Sequence, residues 1–465
     1  MAGKRATVMG LGRYGGGAGV ARYLAEAGAL VTVTDAQPEA HLTEALAELA
    51  DLPIRYVLGG HDVADFLPAG ADLVVRNPGV PRRAPLLELA RRHRVPVEME
   101  MTLFCRACPA PIIGVTGTKG KTTVATLIAA MLRAGDPATV LAGNMGISAL
   151  ARLDQIGPRT PVVIELSSWQ LEGLLEHRLA PAIAVLTLIA EDHLNTYDGF
   201  ADYATTKRGI TRHQAAADTL VVNADDAEAW RAAAETTARV LPFGFRDRGG
   251  DGVWWVDGAA RTRCGGETRS FAIPDRPPLA GSYNRSNALA AIAAAVARGA
   301  GADAIRAGLA SYRGLRDRME VVATIAGIAY INDTTATAPV AAAAGLAALA
   351  GRRVHLLAGG ADKQLDPEPL VAAAVTHAHA VYLFAGGATA AIDRALRERS
   401  VVPHGPFESM DTAVAAATRA AGPGDVVLLS PGCASFGLFQ NEFDRGEQFR
   451  QAVRGLEARS PDRDR

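Results

Sequence analysis

The chain has 465 residues, more than one hydrophobic core accommodates, and this length predicts two to four domains. Hydrophobic residues make up 49% and charged residues 21%, the composition of a soluble globular protein rather than a disordered one. The net charge of -1 supplies no global field for nucleic acid or an anionic membrane, and no apolar run reaches the roughly 18 residues that span a bilayer. The N-terminus breaks into glycines before a signal-peptide core forms, so a cytoplasmic protein is expected, without nucleic acid or membrane insertion.

In chain order, a strand over 6–9 meets the G-x-G-x-x-G run from Gly10 to Gly15, which includes Gly12, Arg13 and Tyr14. A helix to about residue 27 and a strand over 30–34 ending at Asp35 follow, then a strand over 72–76 stopping at Asn77-Pro78-Gly79. This alternation reads as a parallel α/β sheet. A second segment starts near residue 109, with a strand over 111–115, a glycine loop and a helix over 121–133. Strands over 162–166 and 182–188 end at polar residues, which puts the active edge at the carboxyl ends of the strands. Residues 249–267, glycine-rich with Trp254 and Trp255, predict a small hairpin region, and a helix over 284–300 follows. A third segment from about residue 314 alternates strands over 329–331, 354–357, 380–384 and 425–429 with alanine-rich helices. The tail from Glu457 is expected to be disordered. The reading is thus three α/β domains, 1–108, 109–313 and 314–465: a Rossmann-like one, a central phosphate-loop one with a mostly parallel sheet, and a C-terminal Rossmann-like one.

The strongest chemical signal runs from Gly114 to Thr122, G-V-T-G-T-K-G-K-T. A strand turning through glycines into a helix offers unpaired backbone N–H groups and a positive helix end to phosphate oxygens. Gly114, Gly117 and Gly120 supply room, Lys121 is expected on the β- and γ-phosphates, and the Thr122 hydroxyl on magnesium. Five residues rather than four separate Gly114 from Gly120, one more than the strict Walker spacing.

Only five of the 48 basic residues are lysine: Lys4, Lys119, Lys121, Lys207 and Lys363. A lysine kept in so arginine-rich a chain marks a position needing a compact ammonium, or an amine able to lose its proton. Cys105 and Cys108 form a lone C-x-x-C without a second ligand pair, and are read as inert thiols.

The spacing T-G-T-x-G-K-[ST] in mid-chain resembles the Mur ligases and their folylpolyglutamate synthase relatives. The resemblance continues through Gly143-Asn144-Met145-Gly146, through E-L-S-S-W-Q from Glu165 to Gln170, and through Glu191-Asp192-His193 followed by Lys207. It extends to Asn284 and Asn287, Arg318, Asn332-Asp333, Lys363, Ser435-Phe436 and Arg445-Gly446. Within that family the first segment looks like the glutamate-adding branch.

The resemblance implies an ATP-dependent ligase that activates a carboxylate as an acyl phosphate, which an amine attacks through a tetrahedral intermediate. Its substrates would be UDP-N-acetylmuramoyl-L-alanine, D-glutamate and ATP, its cofactor magnesium (two ions), and its state a monomer. ATP contacts are implied for Gly114, Thr116, Gly117, Thr118, Lys119, Gly120, Lys121, Thr122, Thr123, Asn287, Arg318 and Asp333. Gly12, Arg13, Tyr14, Asp35, Asn77, Asn144, Ser167 and Gln170 would meet the UDP substrate. Thr335, Thr337, Lys363, Ser435 and Phe436 would hold the amino acid. Thr122, Glu165, His193 and a carbamylated Lys207 would hold metal, and Lys121, Glu165, His193 and Lys207 would be catalytic. Arginine cannot form that carbamate, so Lys207→Arg is expected to abolish activity while leaving the fold intact.

Three positions depart from the family pattern. Thr335 stands where lysine is frequent, Asp317 where histidine usually precedes the arginine, and Tyr283 where histidine is frequent. They leave an L-glutamate-adding variant open. A folylpolyglutamate synthase starts close to its ATP loop, whereas here about 110 residues precede it. A nicotinamide-dependent oxidoreductase accounts for Gly10 to Gly15 and Asp35 but leaves the second phosphate loop, Glu165, His193 and Lys207 unexplained, and a non-catalytic nucleotide-sugar scaffold is separated from the ligase by ATP hydrolysis dependent on both substrates.

Overall fold

The computed structural model describes residues 1–12, 16–144, 148–192, 196–275, 278–279, 281–363 and 365–458. Two compact units form. One comprises 1–272 with 286–310, the other 273–285 with 311–465.

The first unit holds two sheets. Strands β1 (Arg5–Met9), β2 (Leu30–Asp35), β3 (Arg55–Leu58), β4 (Leu73–Arg76) and β5 (Val97–Glu98) pair in parallel in the order 3-2-1-4-5. The runs Ala-Thr-Val-Met in β1 and Leu-Val-Val-Arg in β4 are buried on both faces, as a sheet covered by helices requires. The order reverses beside β1, so the crevice after β1 and β4 is where such sheets bind ligands.

The second sheet contains β6 (Ile112–Thr116), β7 (Val140–Gly143), β8 (Val162–Glu165), β9 (Ile183–Leu186), β10 (Thr219–Asn223) and β11 (Arg239–Gly244). It is completed by β12 (Gly252–Val256), β13 (Ala259–Cys264) and β14 (Glu267–Ala272), in the order 14-13-12-11-10-9-6-8-7. The expected hairpin region is therefore a three-stranded antiparallel extension of the main sheet. The helix Lys121–Arg133 buries Val124, Leu127, Ile128 and Met131 against this sheet, each contributing about 1.5–3 kcal/mol. That burial anchors the helix whose first residue is Lys121.

The second unit holds β15 (Glu320–Ile325), β16 (Ile328–Asn332), β17 (Val354–Ala358), β18 (Ala378–Phe384), β19 (His404–Phe407) and β20 (Val426–Leu429), ordered 15-16-20-17-18-19. Only the β15–β16 pair is antiparallel. The helix Glu442–Ala458 takes in Glu457, correcting the expectation of a disordered tail from that residue; residues 459–465 lie outside the described ones. Among the described residues no helix is long and apolar enough to cross a membrane.

Candidate active site

At the carboxyl end of β6 the chain turns through Gly117 into the helix that starts at Lys121. Gly117 sits at φ +148°, and a Cβ there would lie 1.9 Å from the Thr187 hydroxyl, so only glycine fits. Gly120, left-handed at φ 89°, precedes the helix. The Lys121 ammonium arches back to the carbonyls of Gly117 and Thr118 at 3.0 and 3.1 Å.

Two residues expected at the nucleotide have their hydroxyls engaged within the protein. Thr116 is fully buried, and its hydroxyl donates to the Leu166 carbonyl at 2.8 Å and accepts from Lys207 Nζ at 3.1 Å. The Thr118 amide donates to the Leu188 carbonyl at 2.7 Å, while its hydroxyl is held by Ala190 and the Tyr203 phenol. Both hydroxyls thus brace the loop from within.

Lys207 is 2% exposed. Burial pushes its amine well below the ordinary lysine range, Lys121 adds to the push, and Glu165 and Asp192 partly oppose it. An arginine here would be bulkier and permanently charged, with only the carboxylates of Glu165 and Asp192 to offset its burial. Glu165, at the end of β8, is equally buried. One oxygen accepts from Asn144 Nδ2 at 3.3 Å, and Oε2 has no hydrogen-bond partner. An orphaned buried carboxylate oxygen beside a phosphate loop fits a divalent cation. Asn287 also carries an unpartnered buried amide, Nδ2. His193, Arg13 and Tyr14 lie outside the described residues.

Sequence reasoning missed Tyr203, which sits four residues before Lys207 on the helix Phe200–Arg208 and hence on its face. Lys207 Nζ lies 5.5 Å from that ring's centroid. Asp192, quoted from the sequence only within the Glu191-Asp192-His193 run, pairs with Lys119 at 3.5 Å.

In the first sheet a cavity of about 370 Å³ opens after β1 and β4, a size suited to a nucleotide. Gly12, Asp35 and Asn77 line it, together with Gln37, His41 and His61, which the sequence reading did not single out. Asp35 accepts from the amides of Leu11 and Gln37, both at 2.8 Å, and so shapes the cavity floor. Gly17 presses the helix against this loop, since a Cβ there would lie 2.3 Å from the Leu11 carbonyl. Ser167 and Gln170 are brought together elsewhere. They cap the helix Ser168–Glu176 through reciprocal bonds of 2.9 and 3.2 Å, so both side chains are already engaged.

In the second unit Lys363 Nζ donates to the Thr337 hydroxyl at 2.9 Å. Asp333 is buried between the Ser430 hydroxyl at 2.8 Å and the Met319 amide at 3.2 Å, and burial raises its carboxyl to about 6. Ser435 is buried, Phe436 is exposed, and Arg318 is exposed. Arg445, fully buried, joins the two loops. It donates to the Thr334 hydroxyl and carbonyl at 3.0 and 2.9 Å and to the Cys433 carbonyl at 3.3 Å. The Cys105 thiol is pushed up to about 12 by burial, and Cys108 is also raised, which makes both poor nucleophiles.

Three family models match successive parts of the chain: "Mur ligase MurD-like, N-terminal domain" over residues 4–98, "Mur ligase middle domain" over 115–295, and "Mur ligase, glutamate ligase domain" over 317–433. A UDP-N-acetylmuramoylalanine–D-glutamate ligase of Roseiflexus sp. is 47% identical over 97% of this chain and 99% of its own length. The chain is a Mur ligase. A second relative of that name, from Symbiobacterium thermophilum, is 37% identical to this Mur ligase over 97% of the chain and 98% of its own. Among solved structures, the UDP-N-acetylmuramate–alanine ligase of Thermotoga maritima shares the fold, with a TM-score of 0.59 at 19% identity over 98% and 100% of the two chains. The E. coli FolC complexed with DHPP and ADP aligns at a TM-score of 0.51 and 19% identity, over 77% of this chain and 93% of its own. Members of this family are ATP-dependent, amide-forming ligases, and the three-domain α/β architecture is theirs.

Proposed function

We propose that this Mur ligase joins D-glutamate to UDP-N-acetylmuramoyl-L-alanine in the cytoplasm, as a monomer, in peptidoglycan precursor synthesis. The shared name of the full-length relatives supports the substrates. One observation carries the chemistry: the Lys207 amine is buried against Thr116, directly under the phosphate loop. The three domains are assigned to 1–108, 109–313 and 314–465.

ATP would bind over Gly114 to Thr123, where Lys121 exchanges its two carbonyl contacts for phosphate oxygens. Asn287, Arg318 and Asp333 are further ATP contacts in this reading. Thr122 and Glu165 would hold magnesium, with His193 and Lys207 at a second ion; such cations supply neutralisation of phosphate charge. The amine of Lys207, whose charged form burial disfavours, would add carbon dioxide at Nζ and release a proton to become a carbamate. A substrate carboxylate oxygen attacks the γ-phosphorus, the bond to ADP breaks, and an acyl phosphate results. The glutamate amine then attacks the acyl carbon, phosphate leaves with the bond's electrons, and the amine loses a proton. Thr335, Thr337, Lys363, Ser435 and Phe436 would position glutamate, with the Lys363 ammonium on a carboxylate. Gly12, Asp35 and Asn77 would seat the UDP moiety, with Arg13, Tyr14 and Asn144.

Isotope transfer tests this route. With ¹⁸O in the substrate carboxylate, one labelled oxygen is expected in each released phosphate. Unlabelled phosphate accompanying amide formation would overturn the acyl phosphate.

A further inference from the structure

The segment that walls the nucleotide cavity is tied by arginines to the segment that carries Lys207. Asn77, Val80 and Pro81 line the cavity. Just before them, Arg76 is 2% exposed and donates to the Val80 carbonyl at 2.9 Å and to Glu172 Oε2 at 3.0 Å. Arg82 reaches the same Glu172 at 3.8 Å and donates to Asp202 Oδ2 at 2.8 Å. Arg91 donates to the Arg82 carbonyl at 3.0 Å and pairs with Glu176 at 3.0 Å.

The contacts continue to the phosphate loop. The Arg82 guanidinium lies 5.6 Å from the Tyr197 ring centroid. Tyr197 packs edge-on against Tyr203 with centroids 5.3 Å apart, and the Tyr203 phenol meets the Thr118 hydroxyl at 3.2 Å. Asp202 and Tyr203 belong to the helix that ends at Lys207 and Arg208. A buried arginine–carboxylate pair is held in one geometry, because separating it strands a charge out of water. Coupling between sites is carried by chains of packed and hydrogen-bonded side chains of this kind.

We propose that Arg82, with Arg76 behind it, is a positioning residue that couples the occupied nucleotide cavity to the placement of Lys207 and the phosphate loop. A nucleotide sugar resting on the wall formed by Asn77 and Val80 restrains Arg76, and through Glu172 and Arg82 fixes the helix Phe200–Arg208. Coupling is reciprocal, so each ligand tightens the other by one factor. This inference rests on the proposed UDP-muramyl substrate.

The test is calorimetric titration of the full chain with a non-hydrolysable ATP analogue, with and without saturating UDP-N-acetylmuramoyl-L-alanine. Wild type is expected to show at least about a fivefold tightening, the low end of typical coupling. In Arg82→Ala that factor should fall below about twofold while each ligand alone binds as in wild type. Asp202→Asn removes the same contact from the other side and should do likewise; it answers the question if Arg82→Ala does not fold. A structural role alone would move single-ligand affinities or melting temperature, not their coupling. Wild-type coupling retained in both variants, or no coupling in wild type, would overturn the inference. Failure of wild type to bind the muramyl nucleotide at all would instead remove the substrate assignment, and the inference with it.

Discussion

Thr335 donates both its amide and its hydroxyl to the Asp317 carbonyl, at 3.1 and 2.9 Å. Two departures from the family pattern thus meet at one point. Asp317 is buried, with φ at +65°, and its carboxylate accepts from Asn332 at 2.9 Å and Arg450 at 2.8 Å. Residue 335 has become part of a turn whose charges are balanced by Arg450. The replacement of lysine there gives no reason to assign L-glutamate.

Thr335→Val, which keeps the amide bond and loses the hydroxyl, should cost about 1 kcal/mol of stability. Its preference for D- over L-glutamate should match wild type. Steady-state kinetics with both enantiomers check this; a reversed preference would restore the L-glutamate reading.

Lys207 should carry a carbamate when bicarbonate is present. A ¹³C NMR signal in the carbamate region is expected after labelling wild type with ¹³C-bicarbonate, and should be missing from Lys207→Ala. Activity of that variant should fall by about a thousandfold or more, since charge stabilisation at the reacting phosphate is lost. Near-normal turnover would remove the carbamate from the mechanism.

Asp333 should lower stability as pH rises. Burial pushes its folded carboxyl up from the ordinary 3.8 to about 6, so the folded state holds the proton longer. Stability associated with that proton is full below pH 3.8 and is lost as pH passes through about 6. Asp333→Asn should therefore gain melting temperature over wild type near pH 7 and lose that advantage near pH 4, the gain being roughly 3 kcal/mol at most. Thermal melts across this range decide it, and a pH-independent difference would contradict it. Activity should fall, because Asp333 is assigned to ATP.

Arg445→Lys should raise KM for glutamate about tenfold or more with little change in KM for ATP. A lysine cannot serve Thr334 and the Cys433 carbonyl together, so the loops bearing Thr335, Thr337 and Ser435 lose their brace. Equal shifts in both constants would point to general unfolding instead.

Much of this was legible in the chain because its signals are local. The run from Gly114 to Thr122 shows strand, turn and helix in nine residues, and the fully buried strands β6, β8 and β17 stop at glycine or polar residues. The edge strands β3 and β5 were not legible: β3 has no fully buried residue and β5 has only two residues, so their pairing decides them. The retained lysines marked Lys121, Lys207 and Lys363 by type. What Thr116 and Thr118 do was hidden, since side-chain direction at a strand end is settled by partners 50 to 91 residues away. The same holds for Arg76 and Glu172, which are 96 residues apart.

The central claim is tested most directly by phosphate release from purified enzyme with ATP, magnesium and UDP-N-acetylmuramoyl-L-alanine, adding each glutamate enantiomer in turn. Sustained release is predicted with D-glutamate alone, together with one UDP-muramyl dipeptide per phosphate. Release with neither enantiomer, or equal release with L-glutamate, would contradict the account.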